Sequence, residues 1–158
     1  RDELAATDAT WRFCSWHLNQ MKMQVGQWNK NYTGWPVYES CREGGAIVVT
    51  GHEHSYQRTY LMDHFEVFHV ISTSTIVRVI KGHSFVIVSG LGGLGATPQD
   101  DTLAANPWWA SIYTKTQGAV NGALFCKFNA GGVTNRAKCY FKNINGDIID
   151  QFDIQAGG

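Results

Sequence analysis

The feature that most constrains this chain is a short apolar run that leads into a glycine and two histidines. Residues 46–49 are all apolar, as is typical of a strand buried on both faces. Gly51 follows, and a residue without a Cβ lets the backbone approach a neighbour closely. Alternate side chains of an extended chain point the same way, so His52 and His54 can face one site while Glu53 faces away. The pattern indicates a sheet that presents two imidazoles, which are good ligands for Zn, Fe or Mn ions.

Two neighbouring histidines alone are as typical of a surface or a helix cap as of a metal site. The longer string Gly51-His52-x-His54-x-Tyr56-x-Arg58 is more specific. It resembles the G-H-x-H-x-Y-x-R signature of the purple-acid-phosphatase-like members of the calcineurin-like metallophosphoesterases. The resemblance implies an α+β fold, the C-terminal part of a four-layer α/β/β/α sandwich that is mostly β with one or two short helices. It also implies metal-dependent hydrolysis of phosphate esters at a dinuclear site.

A third histidine follows an earlier predicted strand. Residues 11–16 alternate large apolar with smaller or polar side chains, which indicates a strand, and His17 stands at its end. A predicted helix that begins at Trp35-Pro36 and stops at Gly44-Gly45 leads into the strand at 46–49. Strand, helix and strand form one βαβ crossover, with histidines at the C-terminal ends of both strands, where open α/β sheets bind ligands.

The resemblance assigns roles to these residues. Trp16-His17-x-Asn19 is similar to the family segment whose histidine completes the metal site. By that likeness His17 and His52 bind one ion and His54 the other, with Fe, Zn or Mn as the metals. Tyr56 and Arg58 are candidates for second-shell groups that orient the imidazoles, and simple packing explains them equally well.

The predicted metal site is incomplete in this chain. The oxygen ligands and the group that protonates the leaving group come from family motifs that have no counterpart in these residues. No catalytic residue is therefore predicted here, and the chain alone should bind metal with partial occupancy at most. We interpret residues 1–158 as the C-terminal portion of a single domain, beginning in the last turns of a helix. The expected partners are the missing N-terminal half or further copies of the chain, together with a phosphate ester substrate.

Charge and hydropathy bear on the remaining partners. The chain has 13 Lys and Arg and 13 Asp and Glu residues, so its formal net charge is zero. This balance argues against a nucleic-acid partner and against a polybasic membrane anchor. No apolar run reaches the roughly 18 residues that a spanning helix requires. A rival hypothesis is a secreted structural or assembly subunit built from a catalytically incomplete phosphoesterase fold.

The cysteines and a sequon favour an extracellular location. Cys126 and Cys139 lie nearly opposite each other across a predicted hairpin, so a disulfide between them is predicted. Cys14 on the first strand and Cys41 on the covering helix could also meet. Asn31 opens the N-x-[ST] sequon. Together these features predict a secreted, disulfide-bonded glycoprotein.

Two further hairpins are predicted from turn residues. Lys81-Gly82 should connect strands at 75–80 and 84–89. Asn145-Gly146 should connect a strand that ends at Ile144 to one at 147–154, which makes the C-terminal third an antiparallel meander.

Overall fold

The computed structural model describes residues 2–27 and 32–157. Over these residues the α-helices are α1 (Asp2–Ala6), α2 (Trp35–Glu43) and α3 (Asp101–Ala104), with 3-10 turns at Met21–Met23, Lys115–Gln117 and Ala130–Gly132. The strands are β1 (Phe13–Ser15), β2 (Ile47–Thr50), β3 (Tyr56–Thr59), β4 (Leu61–His64), β5 (His69–Ser72), β6 (Ile76–Val79), β7 (Val86–Ser89), β8 (Trp109–Tyr113), β9 (Gly122–Phe128), β10 (Arg136–Asn143) and β11 (Ile148–Ala156). The predicted class, mostly β with short helices, is confirmed, although three α-helices are present where one or two were predicted. In this part of the chain, no helix is both long and apolar enough to cross a membrane.

The first sheet has five strands in the order β1-β2-β7-β3-β8. Strands β1, β2 and β7 are parallel, whereas β3 runs antiparallel to both β7 and β8. The predicted βαβ crossover is confirmed, because β1 pairs directly with β2 and α2 lies between them in the chain. Ile47 and Val48 of β2 are both buried although they face opposite sides of the sheet, as expected of an interior parallel strand.

The second sheet has four strands in the order β6-β11-β10-β9. Strands β9, β10 and β11 form the predicted antiparallel meander, and β6 joins it in parallel with β11. Gly146 has a φ of 95° in the turn between β10 and β11, a conformation that favours glycine. A two-stranded hairpin of β4 and β5 completes the strands.

The predicted hairpin around Lys81-Gly82 is wrong. The local turn forms, since Ile80 and His83 exchange backbone hydrogen bonds of 3.2 and 2.9 Å, but β6 and β7 belong to different sheets. Strand β7 is apolar on both faces and lies in the interior of the five-stranded sheet. Strand β6 alternates exposed and buried residues, so it suits a sheet with one solvated face. The turn therefore carries the chain from one sheet to the other.

The two sheets pack face to face, and α2 covers the other side of the five-stranded sheet. Between the sheets lies one apolar cluster that includes Ile87, Phe141 and Phe152. On the far side, Val86 packs with Tyr38 of α2 in a second cluster. Within the described residues, the outer face of the four-stranded sheet is exposed, as the alternation of β10 between exposed and buried positions shows.

Both disulfides that the sequence suggested are present. Cys126 and Cys139 are direct register partners on β9 and β10, with Cα atoms 4.2 Å apart, so the predicted cross-strand bond is confirmed. Cys14 and Cys41 are also bonded and tie β1 to α2. A disulfide restricts the unfolded chain more strongly when the two cysteines are farther apart in sequence.

Candidate functional site

Parallel pairing of β1 and β2 places His17 and His52 side by side. Ser15 is the register partner of Val49, so the two strands end at the same level. The backbone carbonyl of His17 accepts hydrogen bonds from the N–H groups of Gly51 and His52, at 3.3 and 2.9 Å. These bonds fix the two loops to each other immediately after the strands end.

The side chains of the two histidines converge in the same way. Nδ1 of His52 lies 3.1 Å from Nε2 of His17, a hydrogen bond in which one ring donates and the other accepts according to tautomer. Their rings are nearly perpendicular, with centroids 5.0 Å apart. Two nitrogens that each bind one ion at about 2.0–2.1 Å can lie about 3 Å apart, so this separation also fits two ligands of a single metal ion.

The surroundings favour the neutral form of His52. Burial lowers the pKa of His52 below its ordinary value, and the neighbouring His17 and His54 lower it further because like charges repel. A metal ligand must be the neutral imidazole, so a lowered pKa keeps the ring available for binding. The half-exposed ring of Tyr32 packs edge-on against His52, with centroids 5.3 Å apart, and was not foreseen from the sequence.

The segment that carries His54 forms backbone hydrogen bonds with the loop that follows β7. Backbone N–H groups of Gly90 and Thr97 donate to the carbonyls of Ser55 and His54, at 2.9 and 3.0 Å. A Cβ added to Gly90 would lie 1.9 Å from the carbonyl oxygen of Glu53, so only glycine allows this approach. The glycine-rich stretch thus supports the histidine segment through its backbone.

Glu53 lies between the two histidines in sequence and is buried in the interior. Its carboxylate bonds to the hydroxyl of Thr97, and its side chain occupies the space where a Cβ on Gly26 would stand. The predicted alternation, with His52 and His54 sharing one side and Glu53 the other, agrees with this placement.

Asn19 is a buried residue that the sequence analysis noted only as part of a motif. Its amide donates to Thr50 Oγ1 at 2.5 Å, and its Oδ1 accepts the backbone N–H of Glu53 at 3.2 Å. Asn19 therefore joins the segment after β1 to the end of β2 and to the histidine loop. An amide two residues after a strand-terminal histidine is the signal that could have indicated this clamp.

Tyr56 and Arg58, the proposed second-shell residues, direct their hydrogen bonds into the space between the sheets. The Tyr56 hydroxyl donates to Asp150 Oδ2 at 2.7 Å, and Arg58 binds both oxygens of Asp150 at 2.7 and 3.0 Å. Burial, followed by the charge of Asp150, raises the pKa of Tyr56 well above its ordinary value. The observed contacts give both side chains a structural role in joining the sheets, and a second-shell role toward the histidines stays a prediction.

The described residues do not assemble a complete metal-binding group. Among residues 2–27 and 32–157, no group of three His, Cys, Asp or Glu side chains is placed to hold a metal ion. Two imidazoles meet, and His54 lies within electrostatic range of His52. Two convergent imidazoles are donors that Zn, Fe or Mn ions accept, so this pair is compatible with part of a metal site. Asn31 of the predicted sequon lies outside the described residues.

Comparison with solved structures identifies the architecture. Over 96% of its length, the chain matches purple acid phosphatase PPD1 from yellow lupin (Lupinus luteus) seeds, with a TM-score of 0.70 and 12% sequence identity.

This chain has a purple-acid-phosphatase-like fold. The resemblance suggested by the histidine motif is thus confirmed at the level of the fold. The match covers 26% of the lupin chain, so this chain spans about a quarter of that protein. No protein-family model matches the chain, and none of the curated proteins compared with it does.

Proposed function

We propose that this chain is part of a metal-dependent phosphoric ester hydrolase and supplies imidazole ligands to its dinuclear centre. The observation that supports this most directly is the 3.1 Å approach of His17 Nε2 to His52 Nδ1 at the ends of two adjacent parallel strands. In this proposal His17 and His52 bind one ion, and His54 binds the other. Fe, Zn or Mn ions held by these imidazoles would supply Lewis-acid chemistry for the hydrolysis of a phosphate ester.

The residues of this chain orient the ligands in this proposal. The His17 carbonyl holds the backbone of His52, and Asn19 holds the loop between His52 and His54. The lowered pKa of His52 keeps its ring neutral at ordinary pH. Since the ligands stand on rigid strand ends, little conformational entropy is lost when they bind.

We further propose that residues 1–158 form the C-terminal portion of one domain, completed by a missing N-terminal half or by self-association. Strand β1 is the edge of the five-stranded sheet, and Phe13 on it is 46% exposed. A largely apolar groove of about 760 Å³ lies beside β1, lined by residues that include Trp11, Phe13 and Val37. An unpaired edge strand beside an apolar groove suits strand addition and burial by another segment.

The same edge also favours the rival function, a secreted assembly subunit. The two disulfides are compatible with an oxidising, extracellular location, and the proposed glycan on Asn31 would agree with secretion. Intact-mass analysis of the native protein tests both points. A mass equal to that of the bare reduced chain would contradict them.

Metal titration of the full chain tests the proposed site. Co²⁺ or Zn²⁺ should bind weakly, at no more than one ion per chain, and either His17→Ala or His52→Ala should abolish binding. His69→Ala is the matched control, because His69 is an exposed histidine paired with Asp63. Turnover of a generic phosphomonoester should be at trace level, since the family motifs that supply oxygen ligands have no counterpart in this sequence. Metal affinity that is equal in His52→Ala and in the parent chain would contradict the proposal.

A further inference from the structure

The outer face of the four-stranded sheet concentrates positive charge on a chain whose net charge is zero. Five basic residues and one acidic residue, Asp153, are placed on this face by strand register and exposure; the basic ones are Arg78, Lys127, Arg136, Lys138 and Lys142. We call these five the basic face. Asp153 is bound by Arg136 at 2.5 Å and is also the register partner of Lys138, and Asp147 is exposed in the turn after β10. Arg78, Lys127 and Lys142 have no acidic register partner on the face.

The register of β9 and β10 brings two of these charges directly together. Lys127 and Lys138 are opposite each other on adjacent strands, and both are exposed. Like charges directly opposite destabilise a sheet. On its other side Lys138 faces Asp153, which is bound by Arg136, and among the described residues neither lysine forms an ion pair. A bound anionic surface would convert this repulsion into attraction.

Apolar side chains lie among these charges. Phe125 and Tyr140 are opposite each other, stack at 5.4 Å, and are 48% and 37% exposed. Ile148, the register partner of Lys142, is 49% exposed, and Ile144 in the following turn is 72% exposed. Exposed aromatic and aliphatic residues within a basic surface are typical of proteins that bind the interface of a bilayer.

We infer that the basic face binds the surface of an anionic lipid bilayer. The charges are spread over β6, β10 and β9, about 14 Å across the sheet, and about 20 Å along β10 from Arg136 to Lys142. A linear polyanion would contact a single row of positive charges. The basic residues here are spread in two dimensions over a flat sheet, which corresponds to the shape of a membrane surface.

The neutral composition argued against a polybasic membrane anchor, and the inference differs from that expectation because it rests on how the charges are arranged. Zero net charge argues against a polybasic anchor only if basic and acidic residues are evenly distributed over the surface. Here the alternation of β10 directs Arg136, Lys138, Tyr140 and Lys142 to one side, while Phe141 and its neighbours fill the core. The inference concerns peripheral binding and does not depend on the metal site.

Vesicle sedimentation of the full chain tests the inference. Binding should be strong to vesicles of phosphatidylserine and phosphatidylcholine in equal parts, weak to phosphatidylcholine alone, and reduced by salt. The double variant Lys127→Gln/Lys138→Gln should bind about 30-fold more weakly, since each charge contributes about fivefold. Lys115→Gln, an exposed lysine on a 3-10 turn away from this face, is the matched control and should bind as the parent does.

A second pair of variants tests the apolar contribution. Ile144→Ser should weaken vesicle binding several-fold, whereas Val67→Ser, in the turn between β4 and β5 and 63% exposed, should not. All these sites are exposed, so unchanged melting midpoints should show that each variant is folded. Equal binding to both kinds of vesicle, or no effect of the lysine changes, would overturn the inference. Binding to a single-stranded oligonucleotide or a sulfated polysaccharide without binding to vesicles would overturn it as well.

Discussion

The two large sheets differ in how many of their faces are buried. In the five-stranded sheet, β2 and β7 are buried almost throughout. His17 and His52 follow the parallel pair β1 and β2 in the same sheet. In the four-stranded sheet, β10 buries every second residue and exposes the others. A sheet buried on both sides holds its strand ends rigidly, which suits a site of defined geometry. A sheet with one solvated face can vary its outer residues without loss of core, which suits recognition of a surface.

The largest difference in stability is expected between loss of the ion pair that lies between the sheets and loss of the ion pair on the outer face. Asp150→Ala should lower the free energy of unfolding by about 3–5 kcal/mol, because it leaves Arg58 buried without its partner. Asp153→Ala removes the partner of the exposed Arg136 and should cost about 0–1 kcal/mol. Urea denaturation of both variants measures the difference. Equal losses would show that the interface between the sheets is more hydrated than its burial indicates.

The disulfides compare the two sheets directly. Replacing Cys14 and Cys41 by alanine should cost about 3.5 kcal/mol, and replacing Cys126 and Cys139 about 3 kcal/mol. The expected order follows from sequence separation, 27 against 13 residues, because the larger loop restricts the unfolded chain more. Thermal and urea unfolding of the two double variants test it. A greater loss from the hairpin pair would mean that strain or packing, rather than loop closure, sets the contribution.

Close backbone approach at the site provides the next test. Gly90→Ala should lower the free energy of unfolding by about 1–3 kcal/mol, because the new methyl group would collide with the Glu53 carbonyl. Gly92→Ala is the control, since nothing lies within 4 Å of a Cβ there, and it should change stability by less than about 0.5 kcal/mol. Weakened Co²⁺ binding by Gly90→Ala alone would support the role of this loop behind the histidines.

The smallest expected change in the free energy of unfolding depends on pH. It concerns Glu39 of α2, which holds the β4–β5 hairpin against that helix. Glu39 accepts the backbone N–H groups of Phe65 and Glu66, at 2.8 Å each, and pairs with Arg42. Burial would raise the pKa of Glu39, but these hydrogen bonds and the charges of Arg42 and His64 outweigh it, so its pKa is lowered from 4.5. Glu39→Gln should therefore cost about 1 kcal/mol at neutral pH.

The sign of this pH dependence follows from the lowered pKa. A carboxylate whose folded pKa is depressed stabilises the protein above its unfolded pKa and loses that contribution as the pH falls through the folded pKa. The difference between parent and Glu39→Gln should thus be constant above about pH 5 and vanish in stronger acid. Glu66→Gln, an exposed neighbour, is the control and should show no such dependence. A difference that persists in strong acid would assign the effect to packing.

Local sequence predicted much of this molecule. The apolar run before Gly51, the Pro and Gly limits of α2 and the Asn145-Gly146 turn all correspond to observed elements, because each is decided within a few residues. The cross-strand disulfide also followed locally, since hairpin register places Cys126 opposite Cys139. The histidine string led to the family resemblance, which the fold bears out.

Other features were decided by tertiary structure alone. The turn at Lys81-Gly82 forms as predicted, but burial of β7 on both faces draws it into one sheet while β6 joins the other. Tyr56 and Arg58 stand in the motif, yet their partner, Asp150, lies more than ninety residues away and is brought to them by sheet packing. The charge of the outer face is likewise invisible in a neutral composition. Sequence determines which side chains alternate along a strand, and only the pairing of distant strands determines which of them become neighbours.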